Sequence, residues 1–118
     1  MLALAATLLV VTPFKVALEA PTHTPRVNAR WNYSVHAVDR AGKPLRARLT
    51  VQIVDPFGGV HPVEFGRSQK KVANLVFIGR FRDFVIWPAE SRGFRLTFRV
   101  TVTSGRKTVR VSYWVKPR

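Results

Sequence analysis

The stretch FRLTFRVTVTSGRKTVRVSYWV, residues 94–115, decides the fold. Its first half alternates without a break, with Phe94, Leu96, Phe98, Val100 and Val102 set against Arg95, Thr97, Arg99, Thr101 and Thr103. Successive side chains of a strand point to opposite faces, so this pattern marks a strand with one dry and one wet face. A polar turn, SGRK, carries Gly105. The alternation then resumes, with Val109, Val111, Tyr113 and Val115 against Thr108, Arg110, Ser112 and Trp114. Two such arms joined by a short turn predict a long β-hairpin.

Working outward, the period stays at two. WNYSVHA (31–37) puts Trp31, Tyr33, Val35 and Ala37 on one face. DRAGKP (39–44) follows as a turn, where Gly42 tolerates a positive backbone angle and Pro44 cannot donate to a ladder. RARLTVQIV (46–54) buries Ala47, Leu49, Val51 and Ile53 and turns Arg46, Arg48, Thr50 and Gln52 the other way. DPFGGVHP (55–62) reads as a breaker, with a short strand expected around Val63–Phe65 and a polar turn GRSQKK after it. VANLVFIG (72–79) and FRDFVIWP (81–88) are rich in β-branched and aromatic residues and read as two more strands. PAESRG (88–93) is long enough for one helical turn and no more. No stretch after residue 20 has a helical period. About seven strands with turn signals between them predict an all-β antiparallel sandwich.

The chain has 118 residues, enough for one core, and carries 20 Lys and Arg against 6 Asp and Glu, a net charge of +14. Of its charged residues only Lys15 and Glu19 precede Arg26, so the charge belongs to the folded part. A field of that sign attracts polyanions and also favours solubility. The chain has no cysteine, which removes disulfides, thiolate metal sites and cysteine nucleophiles together.

Residues 2–11, LALAATLLVV, form an apolar run far shorter than the ~20 residues of a membrane-spanning helix. The run has the length of a signal-peptide core. Residues 1–20 are therefore read either as a hydrophobic signal or anchor segment, or as a first strand in which Phe14, Val16 and Leu18 share a face. Residues 21–25 are read as a proline-punctuated linker, and residues 26–118 as the domain.

Catalytic and metal chemistry find little support. His23, His36 and His61 lack the close spacing of a zinc motif, and Met1 is the single methionine, so soft copper ligands are missing. Asp39 and Asp55 fit turn positions, and Asp83, between Arg82 and Phe84, is expected in an ion pair. No serine sits in a nucleophile elbow, and Gly58–Gly59 lacks the helix of a phosphate loop. The expectation is a non-enzymatic chain with no cofactor and no metal. Trp31, Tyr33 and Trp87 read as core, whereas Trp114 points outward, free to stack on a sugar ring or to pack under another segment.

YSVHAVDRAGKPLRARLTVQIVD (33–55), with Asp39, Gly42, Lys43 and Pro44 in a D-x-x-G-x-P turn, resembles the bacterial immunoglobulin-like domains of surface and secreted proteins, the Big/invasin-type, fibronectin-III-like sandwiches. WPAESRGFRLTFRVTV (87–102) resembles the penultimate strand of that family and its approach. The likeness covers residues 26–116, without the cysteine–tryptophan–cysteine core of antibody domains, and the stretch 55–71 has no match in it. It implies that the chain crosses between sheets after Asp39, so that residues 46–54 share a sheet with the final hairpin. Arg46, Arg48, Arg95, Arg99 and Arg110 would then line one outer face beside Trp114, with Thr50, Thr97, Thr101 and Ser112 between them. The implied function is an extracellular or cell-envelope module that binds an anionic polysaccharide, another envelope polymer or a partner protein. The alternative is a structural subunit of a surface assembly that self-associates through strand edges. Nucleic acid is disfavoured by the lack of a recognised motif. Homo-oligomerisation and membrane association of the N-terminus stay open.

Overall fold

The computed structural model describes residues 13–66 and 70–118; the apolar run at 2–11 and its reading as a signal or anchor lie outside them. Eight strands follow in order: β1 (Lys15–Glu19), β2 (Arg30–Val38), β3 (Arg46–Val54), β4 (Val60–Pro62), β5 (Leu75–Ile78), β6 (Arg80–Ile86), β7 (Leu96–Ser104) and β8 (Lys107–Val115). One 3-10 turn, Ala89–Ser91, precedes β7. All pairings between these strands are antiparallel. One sheet has the order β1-β2-β6. The other has the order β4-β3-β7-β8, with β5 also paired to β3.

The alternation read from sequence is what closes the core. Trp31, Tyr33, Val35 and Ala37 of β2 face Leu49 and Val51 of β3 and Phe98, Val100 and Val102 of β7 in a single apolar cluster. Two sheets that each have one dry face can bury it only against one another. At the centre, the ring of Phe98 lies 5.1 Å from Trp31 and 4.8 Å from Tyr33, both edge-on. Burial, and after it the charge of Asp83, pushes the Tyr33 phenol above its ordinary range.

The hairpin turns through Gly105 at a φ of 60°, on the first of the two central positions, which a II′ turn reserves for glycine. Phe94 is the one misfit in that stretch. β7 begins two residues later, at Leu96, and the Phe94 side chain stays 47% exposed.

Residues 15–19 are a strand and pair with β2. Two further expectations change. Residues 21–25 are not a linker: His23 and Pro25 accept backbone hydrogen bonds from Lys116 and Arg118, and Val27 donates to Arg118, a parallel ladder along the chain end. The stretch 55–62 contains a strand. Asp55 Oδ1 accepts from the Phe57 and Gly59 N–H groups, and this tight turn sends β4 back along β3.

Val63–Phe65 belongs to a tongue. Val63 and Val72 both bond to Val51, on either side of its peptide, and the chain between them leaves the sheet edge. The tongue crosses to β6, the edge strand of the opposite sheet. There Phe65 packs on Phe81 at 5.8 Å, and the Gly66 N–H donates to both Asp83 oxygens at 3.2 Å. Asp83 is therefore held by the tongue and not by an arginine, which corrects the expected ion pair. It sits opposite Tyr33 on the inward side of β6, where Arg82 does not reach. Residues 67–69 lie outside the described residues.

The β3–β4 turn carries a pH dependence. His61 Nε2 donates to Asp55 Oδ2 at 2.8 Å, and with the Gly59 and Phe57 N–H groups it holds the Asp55 carboxyl below the ordinary 3.8. A depressed acid pKa contributes stability that is present above the unfolded-chain value and lost as pH falls through the folded one. The expected result is that amide protection of Phe57 and Gly59 persists at pH 5 and collapses below about pH 4, read by hydrogen exchange. Protection unchanged down to pH 2 would show that the carboxylate does not hold the turn.

Candidate functional site

The outward side chains of the five-stranded sheet form rows set by register. Arg48 lies opposite Val76 and Thr103, Thr50 opposite Thr101, Gln52 opposite Arg99, and Val54 opposite Thr97. On the far side, Thr101 faces Arg110, Arg99 faces Ser112, and Thr97 faces Trp114. Residues 46–54 therefore share a sheet with the hairpin, and all the arginines expected on this face project from it or from its margin. The strand residues of the face include no Asp or Glu.

The five do not act alike. Arg46, Arg48 and Arg110 are exposed. Arg48 Nη1 donates to the Asn74 carbonyl at 3.3 Å, which holds its head near the β5 edge. Arg99 is half-buried, and its Nη2 donates to Gln52 Oε1 at 2.8 Å. Arg95 stands ahead of β7 with its guanidinium 4.6 Å from the Trp114 ring centre. On ideal sheet spacings Arg46 and Arg48 are ~7 Å apart and Arg99 and Arg110 ~8 Å, while Arg48 and Arg110 are ~12 Å apart. With a Debye length of ~8 Å, the face holds two cationic pairs rather than one crowd.

Trp114 is not a free platform. The ring of His23 stacks on it at 4.1 Å, and His23 Nδ1 lies 2.6 Å from the Trp114 carbonyl. Arg95 approaches from the β7 side and His23 from the free edge of β8, which leaves the indole 39% exposed. This is the packing role. The segment that covers it comes from residues 20–27, whose pairing with residues 116–118 no local pattern in the sequence announces.

Two features escaped the sequence reading. Val60, Val76 and Ile78 lie on the same outer face along the β4–β5 edge, at 48%, 42% and 63% exposure, with Phe57 at the adjoining turn. β4 lies in the supposed breaker, and the register of β5 could not be set from a continuous apolar run. The second feature is an open groove of about 910 Å³ on the three-stranded sheet, lined by Arg30, Arg80 and Arg82 with Asn32 and Ser34. Alternation across RFRDFVI is the signal that points to it.

Among the described residues the ion pairs are His36 with Glu19 at 3.5 Å and His61 with Asp55 at 2.8 Å, and no Lys or Arg reaches a carboxylate. Nor do the described residues bring three His, Asp or Glu together in a metal-binding group. Comparison with protein-family models, with curated proteins and with solved structures finds no match.

Proposed function

We propose that this chain is a non-catalytic, exported immunoglobulin-like module that holds an anionic polymer on the outer face of its five-stranded sheet. The fold reading is supported by the strand order. In immunoglobulin-like sandwiches the second strand stays with the fifth, and the third crosses to the last two. β2 pairs β6, while β3 pairs β7, which pairs β8; β4 and β5 occupy the place next to the third strand. The observation that carries the function is a sheet face with Arg46, Arg48, Arg99 and Arg110 and no carboxylate, in a protein whose described Lys and Arg pair with none. Repulsion within each pair is relieved when a chain of sulfates, phosphates or carboxylates lies across the threonine rows between them.

A heparin fragment serves as the probe polymer. Replacing Arg46, Arg48 and Arg110 by Ser is expected to weaken its binding at least about tenfold near 0.15 M salt and to reduce the slope of log K against log salt by about two. Arg95→Ser, which alters the Trp114 stack, is expected to change affinity less than about twofold. An unchanged slope in the triple variant would remove the face from consideration.

The exposed Val60, Val76 and Ile78 favour a second reading, self-association along the β4–β5 edge. Sedimentation separates the two. Edge pairing persists or strengthens at high salt, whereas polymer binding is lost.

A further inference from the structure

The outer face of the three-stranded sheet carries its own row of cations. Register sets it: Arg80 lies opposite His36, Arg82 opposite Ser34, Asn32 opposite Phe84, and Arg30 opposite Ile86. All three arginines are exposed and line the open groove of about 910 Å³. The Arg30 guanidinium is held 4.3 Å over the Phe84 ring, so its head is positioned without a carboxylate. A guanidinium on an aromatic face keeps its in-plane N–H donors for another partner.

Two carboxylates border the groove, and neither neutralises the row. Asp83 accepts from the Gly66 N–H with both oxygens, at 3.2 Å. Glu19 lies opposite Ser34 on the β1 side, with one oxygen 3.5 Å from His36 Nε2 and the other 3.5 Å from Ser34 Oγ. It is two strand spacings from Arg82, ~10 Å on ideal geometry, beyond the Debye length of ~8 Å. Among the described residues no arginine of this face reaches a carboxylate.

Spacing decides the ligand class. On the same geometry the Cα atoms of Arg80 and Arg82 are ~7 Å apart, and those of Arg82 and Arg30 ~14 Å. A single small anion engages one end of such a row. A polymer with repeating negative charge engages all of it and releases counterions at each contact. The row also faces away from the arginines of the five-stranded sheet. The two sheets pack ~10 Å apart and each turns its cations outward, so a polymer segment lying on one face is out of reach of the other.

We propose that the groove is a second site for an anionic polymer, and that the domain bridges two polymer segments, one on each outer face. The bridge rests on the polymer reading of the five-stranded sheet, whereas the groove site does not.

Calorimetric titration with a heparin fragment too short to wrap the domain counts the sites, and turbidity with long heparin reads the bridge. The unmodified protein is expected to bind two fragments and to turn long heparin turbid. Arg80→Ser with Arg82→Ser removes exposed side chains and leaves Arg30 over Phe84. It is expected to weaken one site at least about tenfold near 0.15 M salt, leave the other within about twofold, and abolish the turbidity. Arg92→Ser with Lys116→Ser, exposed residues outside both strand faces, is the charge-matched control and is expected to keep both sites and the turbidity. One fragment per unmodified domain, or equal losses in the two double variants, would overturn the proposal. A failure of the five-stranded face looks different. Replacing Arg46, Arg48 and Arg110 by Ser then leaves both sites filled while the Arg80 and Arg82 variant still loses one, which overturns the bridge and keeps the groove.

Discussion

Phe98→Ala is expected to destabilise the fold by about 3–5 kcal/mol, the largest effect of any single substitution considered. Phe98 is fully buried in the first half of β7, opposite Ile53 on one side and Tyr113 on the other. Its ring meets Trp31 at 5.1 Å, Tyr33 at 4.8 Å and Trp87 at 6.3 Å. Those three rings are large and rigid, and Trp31 is tethered by an indole N–H bond to the Thr22 carbonyl. They cannot collapse into the space that alanine leaves, so the cavity term adds to the lost transfer energy. A domain of this size is stable by roughly 5–15 kcal/mol, so the variant would lose a large part of its margin. Urea unfolding measures it, and Phe94→Ala is the control, expected to cost less than about 0.5 kcal/mol because that side chain is half out of the fold. A loss in Phe98→Ala below about 1.5 kcal/mol would mean that the aromatic cluster does not organise the core.

The second large effect is expected at Gly66. A Cβ built there would lie 2.5 Å from the ring of Phe84, which is buried at 7% with the Arg30 guanidinium 4.3 Å over it. The backbone of the tongue comes this close because Gly66 N–H must reach the Asp83 carboxylate. Gly66→Ala must move either the ring or the tongue, at a cost of about 1–3 kcal/mol. The contact with Asp83 then lengthens, and the buried edge between the two sheets opens. Two readouts are expected to move together: a lower urea midpoint, and faster proteolytic cleavage between residues 63 and 72 than at the β7–β8 turn. Unchanged cleavage with an unchanged midpoint would show that the tongue does not close this edge.

Much of the fold was legible along the chain. Strict alternation in residues 94–103 and 108–115 identified both arms of the hairpin, and the inward sets of β2 and β3 were read residue by residue. Arg46, Arg48, Arg95, Arg99 and Arg110 were expected on a common face from the resemblance carried by the turn at Asp39–Pro44, whose carboxylate holds two backbone N–H groups as such turns require. What failed to show were elements without a period. β4 contains a proline and has no buried side chain, and it exists because β3 has an edge to pair. Residues 20–27 carry no strand signal and are ordered by the backbone of residues 116–118.

By itself the sequence determined the strands with a clear period of two, their dry face and the sign of the field, because all three follow from residue type and local spacing. Only the tertiary structure decided which charges remain available. It placed Arg95 and His23 against Trp114, Asp83 beneath the tongue, and Arg30, Arg80 and Arg82 along one outer groove. Those arrangements depend on contacts between residues as many as 91 positions apart. No local period encodes them, because the partner is supplied by the pairing of sheets and not by the neighbouring residue.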